Sequence, residues 1–72
     1  MPDMIFVDSS GVEAIGYDPE TRELHVRFAK SGETYIYYDV EEWEFEEFQR
    51  ADSKGTYLNT SIKLRHPNYS KL

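Results

Sequence analysis

Two alternating segments joined by Ser31-Gly32 constrain this chain more than any other feature. In Glu23 to Lys30, Leu24, Val26 and Phe28 fall on one side of a pleated strand, with His25, Arg27 and Ala29 on the other. In the segment after the glycine, Tyr35 and Tyr37 share one side, and Ile36 and Tyr38 the other. Gly32 supplies the positive φ that a tight turn needs, so the pair predicts a β-hairpin. With Lys30 set opposite Glu33, Phe28 faces Tyr35 and Val26 faces Tyr37; Arg27 faces Ile36 and His25 faces Tyr38. One face of this hairpin is apolar and needs a cover.

The cover follows directly. Asp39 is placed to cap a helix starting near Glu41, and Glu41, Glu42, Glu44, Glu46 and Glu47 set negative charge towards the positive end of its dipole. At 100° per residue Val40, Phe45, Phe48 and Ala51 gather on one face. The expected core is therefore Val26, Phe28, Tyr35, Tyr37, Phe45 and Phe48. Glu44 falls within the apolar face and is expected at its solvent edge, while Trp43 lies away from it, at the helix entrance or exposed. Gly55 suits a left-handed turn that ends the helix. With 72 residues and no cysteine, the core has no disulfide or thiolate metal site to reinforce it, and eleven aromatic rings supply the area instead.

Val12 to Tyr17 makes a third strand, with apolar groups on both faces; its register stays open, and Gly16 marks a candidate bulge. Asp18-Pro19-Glu20-Thr21 suits a type I turn into the next strand. Met4 to Val7 reads as a strand or an ordered arm. Thr56 to Leu64 reads as a short strand or irregular segment anchored by Tyr57, Leu58 and Ile62, and residues 65–72 are expected to fray. The expectation is a single α+β domain over residues 1–64: a three-stranded antiparallel β-meander, one α-helix on one face and a C-terminal short strand or irregular segment closing the edge.

Net charge is −6, but unevenly spread. All 14 acids lie at or before Asp52, whereas Lys54, Lys63, Arg65 and Lys71 follow without one. No stretch approaches the ~18 apolar residues of a membrane span, and the start lacks the pattern of a secretory signal. The chain is read as cytoplasmic, with no membrane partner. Two glycosylation sequons, at Asn59 and Asn68, are read as chance.

Ser10, Ile15-Gly16-Tyr17-Asp18, Leu24, Val26, Phe28, Gly32, Tyr35-x-Tyr37, Val40, Phe48, Ala51, Ser53-Lys54-Gly55-x-Tyr57-x-Asn59 and Ile62, taken together, resemble the KTSC domain. The resemblance runs over about residues 9–64. That family is named for its occurrence at the C-terminus of some lysyl-tRNA synthetases and also comprises free-standing small bacterial proteins. The synthetase context implies RNA, tRNA in particular, as a ligand. The chain departs from the family pattern at Glu41, where proline is common, and at Glu44, where an apolar residue is common.

Beside the resemblance, the residues support two classes of binding. Lys54, Lys63, Arg65, His66 and Lys71, interleaved with Tyr57, Asn59 and Tyr69, are candidates for phosphates and bases. Arg27 and Tyr38 extend them onto the sheet face away from the helix, where His25 and Ile36 would complete a platform. The competing structural readings are a basic tail folded back on the acidic helix and a sheet face covered by the N-terminal arm. Tyr35 and Tyr37, also spaced as a stacking pair, are assigned to the core. The alternative class is a protein interaction through Trp43 with Glu42, Glu46 and Glu47, or through the Tyr38 face, with the chain a monomer or a weak homodimer through a sheet edge. For catalysis there are only Ser53-Lys54 and two isolated histidines without ligand spacing, so neither enzyme, metal nor cofactor is expected.

Overall fold

In the computed structural model, which describes residues 2–72, five strands form one antiparallel sheet in sequential order. They are β1 (Ile5–Phe6), β2 (Val12–Asp18), β3 (Glu23–Phe28), β4 (Thr34–Tyr37) and β5 (Tyr69–Lys71). Helix α1 (Glu42–Arg50) is followed by a second helical run: α2 (Lys54–Tyr57), a π-helical stretch (Leu58–Ile62) and α3 (Lys63–Arg65). The expected α+β class holds. The three-stranded meander gains an edge strand on each side, and the expected strand or irregular segment at 56–64 is helix.

The central hairpin forms, with its register two residues from the one expected. Leu24 pairs with Tyr37, His25 with Ile36, Val26 with Tyr35 and Arg27 with Thr34. A shift of two leaves every side chain on its own face, so alternation cannot detect it; the loop decides. Residues 29–32 form that loop, closed by Gly32 N–H donating to the Phe28 carbonyl (2.9 Å), with Gly32 at φ 71°. The β2–β3 loop repeats this geometry. Arg22 N–H donates to the Asp18 carbonyl (2.7 Å), and Arg22 itself is left-handed at φ 60°.

The bulge in β2 lies between Val12 and Ala14, not at Gly16. One extra residue there reverses the alternation, which explains why both faces of this strand looked apolar. Val12 and Ile15 both enter the core, while Ala14 and Gly16 turn to the opposite face. Gly16 is needed for a different reason. A Cβ at that position would sit 2.8 Å from the Asp3 carbonyl oxygen and 2.9 Å from Met4 Sδ, so the N-terminal arm lies directly on it.

Helix α1 starts from Glu41, not Asp39, which is left-handed at φ 60°. It ends at Ala51, and Gly55 sits inside α2 instead of ending α1. Ser53 caps the second run, its Oγ accepting the Thr56 amide (3.3 Å). The Lys63 amide reaches back to the Leu58 carbonyl, five residues away, and this wider turn leaves both Leu58 and Ile62 buried. These two join Val12, Ile15, Leu24, Val26, Tyr37, Val40 and Phe48 in one core between sheet and helices. Phe28, Tyr35 and Phe45 pack on its margin, only partly buried.

Residues 65–72, expected to fray, hold the fifth strand. β5 pairs along β4, and Leu72 N–H donates to the Thr34 carbonyl (2.9 Å). Lys71 forms an ion pair with Glu33 (2.6 Å) that raises its pKa, and Tyr38 OH donates to Ser70 Oγ (2.8 Å).

Candidate functional site

Adding β5 to the sheet builds a cleft around three of the candidate residues, Lys63, His66 and Tyr69. Tyr69 on β5 stacks on Tyr35 with ring centroids 5.3 Å apart, and tilts against Tyr37 at 5.9 Å. Lys63 of α3, then His66 and Pro67, supply the opposite wall, enclosing about 490 Å³. Tyr37 is 2% exposed and forms the floor, whereas Tyr69 keeps 57% of its surface at the rim. Burial, with Tyr69 and Tyr35 beside it, raises the Tyr37 pKa, so its phenol stays neutral and able to donate. Lys63 Nζ lies 6.0 Å from the Phe28 ring centroid. A second cleft of about 270 Å³ shares the His66–Pro67 wall and adds Tyr38, Asp39, Arg65 and Asn68.

The shared wall is pinned from behind by Glu44. This carboxylate is 2% exposed, accepts the Glu41 amide (3.0 Å), lies 2.9 and 3.1 Å from His66 Nε2, and is 3.4 Å from the Arg65 guanidinium. Burial on its own would raise the Glu44 pKa. The Glu41 amide, His66 and Arg65 outweigh it and hold the carboxyl below its ordinary value. An ionised carboxylate only accepts, so Nε2 of His66 carries a proton. Glu44 is thus interior rather than at the solvent edge, at the position where the resemblance implies an apolar residue.

The candidate basic residues are divided among these features. Lys63 and His66 meet at the first cleft; Arg65, His66 and Tyr38 meet at the second. Arg65 also lies over the Trp43 ring, at 5.1 Å, so the basic tail does fold back on the acidic helix. Lys54 Nζ donates to the Ala51 carbonyl (2.6 Å), closing the end of α1, and Tyr57 stacks on Phe48 (5.6 Å) while its OH donates to Glu47 (3.0 Å). Burial and then that carboxylate raise the Tyr57 pKa. Asn59 is exposed in the π-helical stretch. Among the acidic candidates, Glu42 and Glu46 are exposed, and Trp43 is 49% exposed.

The expected platform on the other sheet face does not assemble. Arg27 pairs across the sheet with Thr34 and bonds Glu13 (3.2 Å), which leaves it four residues, about 13 Å, from Tyr38 along β4. His25 is 2% exposed, beside Gly16 where the arm packs. Its Nε2 is 3.4 Å from Glu23, and its Nδ1 has no partner. Among the described residues, no cluster of three or more His, Asp or Glu could hold a metal ion, and no helix is long and apolar enough to cross a membrane. Tyr69 is among the candidates the sequence offers beside Lys63 and His66; the strand that seats it on Tyr35 is not foreseen, because it lies in a segment expected to fray.

The model of the KTSC domain matches residues 8–66. The chain belongs to the KTSC family. A KTSC domain protein from Yersinia pestis, solved by crystallography, superposes with a TM-score of 0.91 at 35% identity, over 100% of this chain and 99% of that one. Sequence relatives include a protein of Tsukamurella paurometabola, 42% identical over 59 residues, covering 82% of this chain and 87% of the relative. An uncharacterized protein of Stutzerimonas stutzeri is 34% identical over 68 residues, 94% of each chain. The KTSC match spans β2 to His66 and stops short of Tyr69, so the cleft takes its floor and cation from the matched residues and its rim tyrosine from beyond them.

Proposed function

We propose that this KTSC domain is a non-enzymatic module that binds single-stranded RNA weakly, through the cleft between the β4–β5 face and the end of the second helical run. The observation that carries it is the convergence of Tyr35, Tyr37 and Tyr69 with Lys63 and His66 around one cavity. Stacking of a base on an aromatic ring is worth ~1–3 kcal/mol, and a neighbouring ammonium can meet the attached phosphate. The presence of such domains at the ends of some lysyl-tRNA synthetases supports the same reading and puts tRNA among the ligands to try. An NMR titration of labelled protein with a short unstructured RNA at low salt tests it. Shifts at Tyr35, Lys63, His66 and Tyr69, lost in Lys63→Glu, are expected; no shift at these positions at low salt overturns the reading.

A protein interaction through α1 is favoured by one observation, the half-exposed Trp43 flanked by Glu42 and Glu46. It predicts that Trp43→Ala abolishes capture of a basic partner while leaving RNA titrations unchanged.

A further inference from the structure

Which part of an RNA strand the cleft takes follows from where the charges are already spent. Each phosphate neutralised along a strand takes a cation. Of the four C-terminal cations, Lys54 is bonded to the Ala51 carbonyl, Arg65 to Glu44 and the Trp43 face, and Lys71 to Glu33. Lys63, at the cleft, is the one with no carboxylate or carbonyl partner among the described residues. Among the described residues, the margins offer no unpaired lysine or arginine for a second phosphate, since Arg65 is held by Glu44 and Lys71 by Glu33. Asp39 lines the adjoining cleft beyond the His66–Pro67 wall, and Glu33 lies past Tyr35 on the same sheet face. A volume of about 490 Å³ is that of a site for one small ligand, within the ~300–1,000 Å³ usual for such clefts.

We propose that the cleft holds a single nucleoside monophosphate unit, its base against Tyr35 and Tyr69 and its phosphate monoester against Lys63. This rests on the RNA reading for its source, an RNA end, while a free mononucleotide offers the same chemistry. A monoester carries about −1.5 to −2 charge at neutral pH where an internal diester carries one, and so gains most from a lone ammonium. The phosphate of an internal nucleotide is followed by others that would meet only lysine and arginine side chains already paired with Glu44 and Glu33.

The test uses the full chain and four probes: uridine or adenosine monophosphate, and one pentaribonucleotide with a 5′-phosphate, a 3′-phosphate or hydroxyls at both ends. Binding is followed by NMR shifts at Lys63, His66 and Tyr69. The expected result is that the mononucleotide shifts these residues and that one phosphorylated pentamer binds at least tenfold more tightly than the hydroxyl form. Lys63→Ala, at an exposed position, should erase that preference, and Lys30→Ala, at the tip of the β3–β4 loop, should keep it. Mononucleotide binding with no pentamer binding supports the nucleotide site and removes RNA as its source. Equal binding of all pentamers with no mononucleotide binding overturns the inference and leaves the RNA reading standing. If no probe binds, both fall.

Discussion

Glu44 shows how a single side chain can work against its position and still be accommodated. A carboxylate in an apolar helix face costs several kcal/mol unless its oxygens are satisfied. Here the Glu41 amide comes from the same helix turn, and Arg65 and His66 arrive from 21 and 22 residues away. Glu44→Gln keeps the shape but loses charge-assisted bonds, and is expected to cost about 2–3 kcal/mol, lowering Tm by roughly 10 °C or more in thermal unfolding. The pH profile gives a second reading. The folded carboxyl titrates below its unfolded value of about 4.3, so its contribution is complete above that pH and is lost as pH falls through the folded value. Below pH ~4 the native protein should therefore lose stability faster than Glu44→Gln, and parallel acid profiles for the two would contradict the assignment. The sequence exposed Glu44 as an anomaly. It could not name the partners, because nothing local links residue 44 to residues 65 and 66.

At the level of elements, the second helical run and the two edge strands were the least legible. Thr56-Tyr57-Leu58-Asn59-Thr60-Ser61-Ile62 is rich in β-branched and weakly helix-forming residues, and its helicity depends on a cap and on burying Leu58 and Ile62. Ser53→Ala should remove the cap and cost about 1 kcal/mol, a fall of roughly 4–8 °C in Tm, with the largest loss of amide protection in residues 54–58. The β1 arm depends on Gly16 in the same way. Gly16→Ala places a methyl against the Asp3 carbonyl, so the arm should lift while the core stays folded. Hydrogen exchange checks this at the Val7 amide, which donates to Glu13 (3.0 Å): fast exchange is expected in the variant, and unchanged protection would show that the arm does not rest on Gly16.

Across the whole molecule, charge sets the scale of any nucleic-acid binding. A net −6 with most C-terminal cations engaged leaves about one phosphate contact, so the RNA affinity should fall only about threefold between 50 and 200 mM salt. Titrations at the two salt concentrations measure it, and a loss of about twentyfold would mean that Arg65 and Lys71 leave their carboxylates to bind RNA. Leu24, Val26, Tyr37 and Phe48 were readable as core because period-two and period-3.6 patterns survive in any local window. The hairpin, the acidic helix and the family were open to the same local reading. The register of β3 on β4, the bulge that turns Val12 inward, the burial of Glu44 and the seating of Tyr69 on Tyr35 were not. Each of these depends on segments distant in the chain meeting in space: a two-residue slip preserves the alternation, and β5 is a strand because β4 offers it an unpaired edge.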